Sequence, residues 1–204
     1  MPVRGPRIKK IRRLGTQLPG LTRKSADKNP QPPGAHGGKP SRQRVSAYRR
    51  RLEEKQKVRF NYGITERQLR RYLERARTEP GPTGGNLLAL IERRLDNVVF
   101  RLGLAPTIPA ARQLVAHGHI SVGARNVDRP SYEVAPGDVV ALAPRPRSRA
   151  ALHAVAEGAA SLTLPRYLER DPGNPYAGRV VAMPARSDIP LPVREAMIVE
   201  FYAR

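Results

Sequence analysis

Cysteine and tryptophan are both absent from this 204-residue chain. Without cysteine there is no disulfide, no thiolate zinc site and no Cys nucleophile. Aromatic residues make up only 5% of the chain and hydrophobic residues 39%, so Leu, Val, Ile and Ala must build any core. At that hydrophobic content, part of the chain is expected to have no core of its own. No segment approaches the ~20 apolar residues of a membrane span, and the opening MPVRGPRIKKIRRLG lacks an apolar run of signal-peptide length. A cytosol-like compartment is the default expectation. Acidic residues are also scarce: 17 Asp and Glu stand against 38 Lys and Arg, which gives a net charge of +21.

The imbalance is local. Met1–Pro80 hold 23 Lys and Arg against 6 Asp and Glu, whereas Gly81–Arg204 hold 15 against 11. Repulsion on that scale in one half calls for a polyanion, and the commonest is nucleic acid. Every one of the 7 lysines lies at or before Lys57, and the other 31 cations are arginines. A guanidinium pairs with phosphate through a planar fork and stacks on bases, so the bias fits nucleic acid better than a simple counter-charge would.

Residues 1–45 read as an extended basic arm, rich in Pro and Gly, whose apolar residues are few and aperiodic. Ser46 can cap a helix that runs to Gly63. Arg49, Arg50, Arg51, Lys55, Lys57 and Arg59 line its solvent side, and Glu53 and Glu54 are within pairing distance of Arg49 or Arg50 and Lys57. Thr65-Glu-Arg-Gln68 is a capping box with Ile64 placed to staple onto Leu69. Beyond it Leu69, Tyr72, Leu73 and Ala76 form an apolar stripe opposite Arg67, Arg70, Arg71, Arg75 and Arg77. Glu79–Gly85 reads as a linker. Helical spacing from Leu87 to Leu102 predicts a third helix closed by Gly103, and Thr107 caps a fourth that ends at Gly118. The period then changes to two, with strands expected at Ile120–Val122 and Val139–Leu142, around Val127 and Tyr132/Val134, and late at Val180–Met183 and Met197–Tyr202. Ser148–Gly158 fits a short helix.

The densest motif cluster is Arg94-Leu-Asp-Asn97, Arg112-Gln-Leu-Val115, His117-Gly-His-Ile-Ser-Val122 and Pro136-Gly-Asp138. Physically these are two short helices meeting at a hairpin, a shallow basic face suited to the minor groove and backbone of folded RNA. The stretch resembles the RNA-binding module named after ribosomal protein S-four. Arg4–Gly15, Leu18-Pro-Gly-Leu-Thr22, Pro33-Gly-Ala-His-Gly37, Leu52-Glu-Glu-Lys-Gln-Lys57, Tyr62-Gly-Ile-Thr-Glu-Arg67 and Val199-Glu-Phe-Tyr202 extend the likeness over nearly the whole chain. The chain is therefore similar to the small-subunit ribosomal protein S-four family of bacterial or plastid type.

The resemblance implies an α+β protein with a mainly helical domain over 46–91, completed by 178–204. Inserted in it is a small α/β RNA-binding module over 92–155, two helices feeding a short antiparallel sheet. An extended arm over 1–45 and a connecting segment over 156–177 complete the expected layout. It also implies a structural constituent of the small subunit, not an enzyme. Such a protein binds the 5′ domain of small-subunit ribosomal RNA, nucleates assembly of the subunit body, and supports translational accuracy with the neighbouring protein S-five. The setting is the ribosome, in the cytoplasm or a plastid stroma, with other small-subunit proteins as neighbours and no membrane or small-molecule substrate. Some members hold zinc through cysteines in the arm, but this sequence has none, so neither metal nor cofactor is expected.

The RNA-binding set expected from charge and resemblance starts in the arm with Arg4, Arg7, Lys9, Lys10, Arg12, Arg13, Arg42 and Arg44. In the helical domain it comprises Arg49, Arg50, Lys55, Lys57, Arg59, Arg70 and Arg71. In the module it comprises Arg94, Arg112, Gln113, His117, His119, Ser121 and Arg129. His117 and His119 lack a companion carboxylate or thiolate at ligand spacing, which favours a structural corner or a phosphate contact over a metal pair. Tyr48, Tyr62 and Tyr72 fit either base stacking or packing roles. Asp96 resembles the aspartate context of pseudouridine synthases, some of which carry the same module. Here it sits in a predicted helix with no catalytic domain after it, so an intramodule salt bridge or capping role is the expectation. A heat-shock-type factor with the module is a second rival, opposed by the arm and by the full-length likeness.

Overall fold

The computed structural model describes residues 5–34, 45–143 and 163–203. They form two compact units, one of residues 1–87 and 191–204 and the other of residues 88–190.

The first unit is helical. Its opening helix, α1 (Arg7–Leu14), ends at Gly15 in the left-handed region, φ 58°. The arm is therefore not simply extended as its composition predicted. Ile11, Leu18, Leu21 and Ala26 are all buried, and the backbone N–H of Gly20 donates to Oδ1 of the buried Asn61 at 3.0 Å. Few apolar residues suffice here because they land on a partner surface supplied by α2 (Ala47–Tyr62) and its surroundings. Local signals place α2 as the sequence reading did: the Ser46 hydroxyl caps it and Gly63 ends it at φ 61°. The expected pairs form as well, Arg49–Glu53 at 2.8 Å and Lys57–Glu54 at 2.7 Å. The capping box at Thr65 and Gln68 opens α3 (Glu66–Thr78), and Leu69, Tyr72, Leu73 and Ala76 form its buried stripe.

The remaining element of this unit, α7 (Glu195–Phe201), is a helix, although Met197–Tyr202 was expected to be a strand. Ile198 is fully buried on it, and Arg51 pairs with Glu200 at 2.7 Å. Its β-branched and aromatic residues suit either period, and contact with α2 decides the outcome.

The second unit begins inside α4 (Thr83–Glu92), which opens within the segment that read as a linker. The single helix expected over Leu87–Leu102 is broken into α4 and α5 (Leu95–Arg101). At Arg94 the backbone turns extended, with φ −65° and ψ 138°, and bridges to Glu133. The first amides of α5 then donate to Tyr132 and Pro130 carbonyls. Thr107 caps α6 (Ile108–Ala116), with Pro109 in its first turn. After it come β1 (Ile120–Val122), β2 (Arg125–Asn126), β3 (Val139–Leu142), β4 (Leu168–Asp171) and β5 (Asn174–Val180). They make one antiparallel sheet in the order β2-β1-β3-β5-β4.

Two strands thus lie in or beside the stretch expected to be a mere connector over 156–177, and residues up to 190 belong to this unit. The expected strand at Val180–Met183 is displaced upstream, and Tyr132/Val134 contribute a bridge beside Glu133 instead of a strand. The helix expected at Ser148–Gly158 lies outside the described residues. At Gly178 the sheet passes so close to its neighbours that a Cβ would lie 2.8 Å from the Glu169 carbonyl and would collide with the Leu102 side chain.

Candidate nucleic-acid interface

The second unit buries two carboxylates, Asp96 and Glu92, under arginines, and both units leave other cations at the surface. In the second unit Asp96, 1% exposed, receives two guanidiniums. Arg94 donates to it through Nε and Nη2 at 3.0 and 2.8 Å, and Arg112 donates through Nε and Nη2 at 3.1 and 2.7 Å. Asp96 is thus the intramodule salt-bridge partner that its sequence context pointed to. Arg94 is itself fully buried in this pair, so it is withdrawn from the surface set. Arg112 differs: a quarter of its side chain reaches the surface while Asp96 fixes its orientation.

Around Arg112, Gln113 and His117 are exposed on α6 and its end, and Arg129 is exposed in the loop that docks on α5. His119 and Ser121 are half-buried, and the Ser121 hydroxyl donates to the Ala141 carbonyl at 3.4 Å. The two imidazoles lie 6.2 Å apart. A second buried carboxylate, Glu92, accepts from Arg101 Nη2 at 2.8 Å, from the Tyr167 hydroxyl at 2.8 Å and from the Asn97 amide. Both constellations hold the module together and leave Arg112, Gln113, His117 and Arg129 among its outward polar groups.

In the first unit, Arg7, Lys9 and Arg13 are exposed on α1, Arg49 and Arg50 on α2, and Arg70 and Arg71 on α3. Lys10 sits 5.1 Å from the Phe60 ring centroid. Partial burial, and then the nearby Arg7 and Arg59, hold its ammonium below the ordinary lysine range. Arg12 is half-buried and held by the Gln31 carbonyl and the Asn29 side chain. Lys57 pairs with Glu54, and Arg59 with Glu66 at 3.2 Å.

Lys55 is corrected. It is 5% exposed, bonded to Glu66 at 3.0 Å and set 4.2 Å from the Phe201 ring centroid. Phe201 is distant in sequence, so helical spacing alone could not reveal this enclosure. Of the tyrosines, Tyr62 and Tyr72 are buried, whereas Tyr48 is exposed and 5.7 Å from Phe201. Arg4, Arg42 and Arg44 lie outside the described residues.

Other cations outside the expected set are also exposed: Arg23, Lys24 and Lys28 after α1, Arg67 and Arg77 on α3, and Arg125 on β2. Their only advance signal was charge. Among the described residues, no group of three or more His, Asp or Glu could hold a metal ion.

Two short helices feeding a small antiparallel sheet, with Arg112 oriented by a buried carboxylate, have the form of an RNA-binding module, and the same chain also forms a basic helical unit. Residues 93–140 match the model of the S4 domain, and residues 2–92 match that of the ribosomal protein S4/S9 N-terminal domain. Small ribosomal subunit protein uS4 of Thermosynechococcus vestitus is 52% identical over 98% of this chain and 97% of its own length. The proteins of the same name from Synechococcus sp. (strain JA-2-3B'a(2-13)) and Prochlorococcus marinus (strain MIT 9303) are 53% and 49% identical over the same shares. The chain belongs to the uS4 family of ribosomal proteins, which are structural components and not enzymes.

Proposed function

We infer that this chain is a structural, ribosomal-RNA-binding constituent of the small ribosomal subunit. The observation that carries the reading is the sorting of charge. Buried guanidiniums are matched to Asp96 and Glu92, while arginines on α1, α2 and α3 and in the 129–132 loop face outward. Outward cations fixed on rigid helices recognise phosphate spacing and therefore RNA shape.

The RNA is the 5′ domain of the small-subunit transcript, bound early enough to nucleate the subunit body. Protein S-five is the expected neighbour, and decoding accuracy the expected shared property. Both rest on the family resemblance. The RNA-facing set comprises Arg7, Lys9, Arg12, Arg13, Arg49, Arg50, Arg70 and Arg71 in one unit. In the other it comprises Arg112, Gln113, His117, His119, Ser121 and Arg129, joined by Lys10, Lys57 and Arg59 at partial exposure. Arg4, Arg42 and Arg44 extend the set along the arm. The ribosome is the site of action, and no cofactor enters the reading.

Filter binding to a 5′-domain transcript across a salt series tests it. The slope of log K against log salt is expected to be steep, at about −0.7 to −0.9 per phosphate neutralised. Arg50→Glu and Arg71→Glu are each expected to weaken binding and flatten the slope. A flat salt response in the unaltered protein refutes the reading.

A further inference from the structure

Between α3 and α7 lies a cleft of about 400 Å³ lined by Arg70, Leu73, Glu74, Arg77, Phe201 and Tyr202. Its chemistry differs from that of the exposed cations Arg67, Arg71 and Arg75 elsewhere on α3. Residues 70, 74 and 77 fall on one helical face, so a carboxylate sits between two guanidiniums. Below them are two rings set edge to face, with centroids 5.3 Å apart and planes at 86°. The Arg70 guanidinium lies 5.9 Å from the Tyr202 centroid. The Tyr202 hydroxyl donates to Glu66, which fixes the ring. The Glu74 carboxylate makes no hydrogen bond or ion pair with any of the described residues, despite the cations on either side.

We propose that this cleft binds one unpaired guanine nucleotide of RNA, with Glu74 reading the base. A carboxylate offers two acceptors and no donor. Guanine alone among the four bases presents two adjacent donors on its Watson–Crick edge, the ring N1–H and the 2-amino group. Adenine and cytosine place a ring nitrogen lone pair beside their amino group, and uracil flanks its single N–H with carbonyls, so each sets an acceptor against Glu74. Arg70 and Arg77 supply fork donors for a flanking phosphate, and the aromatic floor and guanidinium plane suit a splayed base. Two cations and one carboxylate leave a single positive charge for one phosphate. An acidic protein segment would satisfy the arginines but meet repulsion from Glu74 and leave the rings unused.

The inference rests on the RNA-binding reading above, and its test separates the two. Fluorescence anisotropy at low salt compares fluorescein-labelled UUGUU and UUAUU on the full-length protein, with a 5′-domain transcript measured alongside. The unaltered protein is expected to prefer the guanine oligonucleotide by about tenfold, the size of one bidentate base contact. Glu74→Gln removes an exposed, unbonded carboxylate, so the fold should persist while the preference falls to within about twofold. Equal affinity for the two oligonucleotides, or a preference that survives Glu74→Gln, overturns the proposal. So does displacement of UUGUU by poly-glutamate at equal charge concentration, which would assign the cleft to an acidic polypeptide. Transcript binding without guanine preference refutes the cleft alone, whereas loss of transcript binding refutes the wider function.

Discussion

Asp96 is a buried carboxylate on which two guanidiniums of the second unit depend. Its carboxylate neutralises the buried Arg94 and aims Arg112, so removal takes a buried charge partner from one guanidinium and two orienting hydrogen bonds from the other. Asp96→Ala is expected to cost about 3–5 kcal/mol, read as a shift in the urea midpoint. A loss below about 1 kcal/mol would mean that the pair contributes little.

Glu66 acts in the first unit and brings a pH dependence. Burial raises its carboxyl pKa, but hydrogen bonds from Tyr202 and Lys55, with the charges of Lys55 and Arg59, outweigh burial and hold it below the ordinary 4.5. The Tyr202 phenol moves the opposite way, pushed far up by burial and by its bond to Glu66. A depressed carboxylate stabilises the fold fully above its ordinary value, and that contribution fades as pH falls through the folded-state value. The loss of urea midpoint caused by Glu66→Gln should therefore be larger at pH 7 than at pH 3. An equal gap at both pH values would contradict this.

At the scale of elements, legibility followed sequence distance. Ser46, Thr65 with Gln68, and Thr107 announced three helix starts because a cap closes within three residues. The break at Arg94 was hidden, since the groups that replace helical bonding there belong to residues 130–134. Lys55 read as a surface cation for the same reason, its cover coming from Phe201. In α7, the Met-Ile-Val-Glu-Phe run satisfies a strand pattern as readily as a helical one. Of the site, the clustering of cations was legible, but which of them are spent on buried carboxylates was not.

Close packing in the sheet gives a test at this scale. Gly178→Ala forces a methyl group against the Glu169 carbonyl and Leu102, and is expected to destabilise the second unit by about 1–3 kcal/mol in chemical denaturation. A neutral result would show that β4 and α5 can give way.

For the molecule as a whole, the two units differ in how the chain composes them. The second is one stretch, 88–190, and the first needs 191–204 to complete it. A chain stopped at Arg194 loses the buried Ile198, the Glu200 partner of Arg51 and the Phe201 ring beside Lys55. Hydrogen exchange should then report faster amides in α2 and α3 with β1, β3 and β5 unchanged. Loss of protection spread evenly over both units would argue against separate cores.

The same discontinuity imposes an order on biosynthesis. All strands of the sheet-bearing unit precede residue 190, so its chain is synthesised in full before the segment that the helical unit still needs. The arginine-rich helices before it must wait, incompletely covered, until translation reaches the final helix. For that interval the newborn protein carries its most cationic helices without the segment that completes their unit.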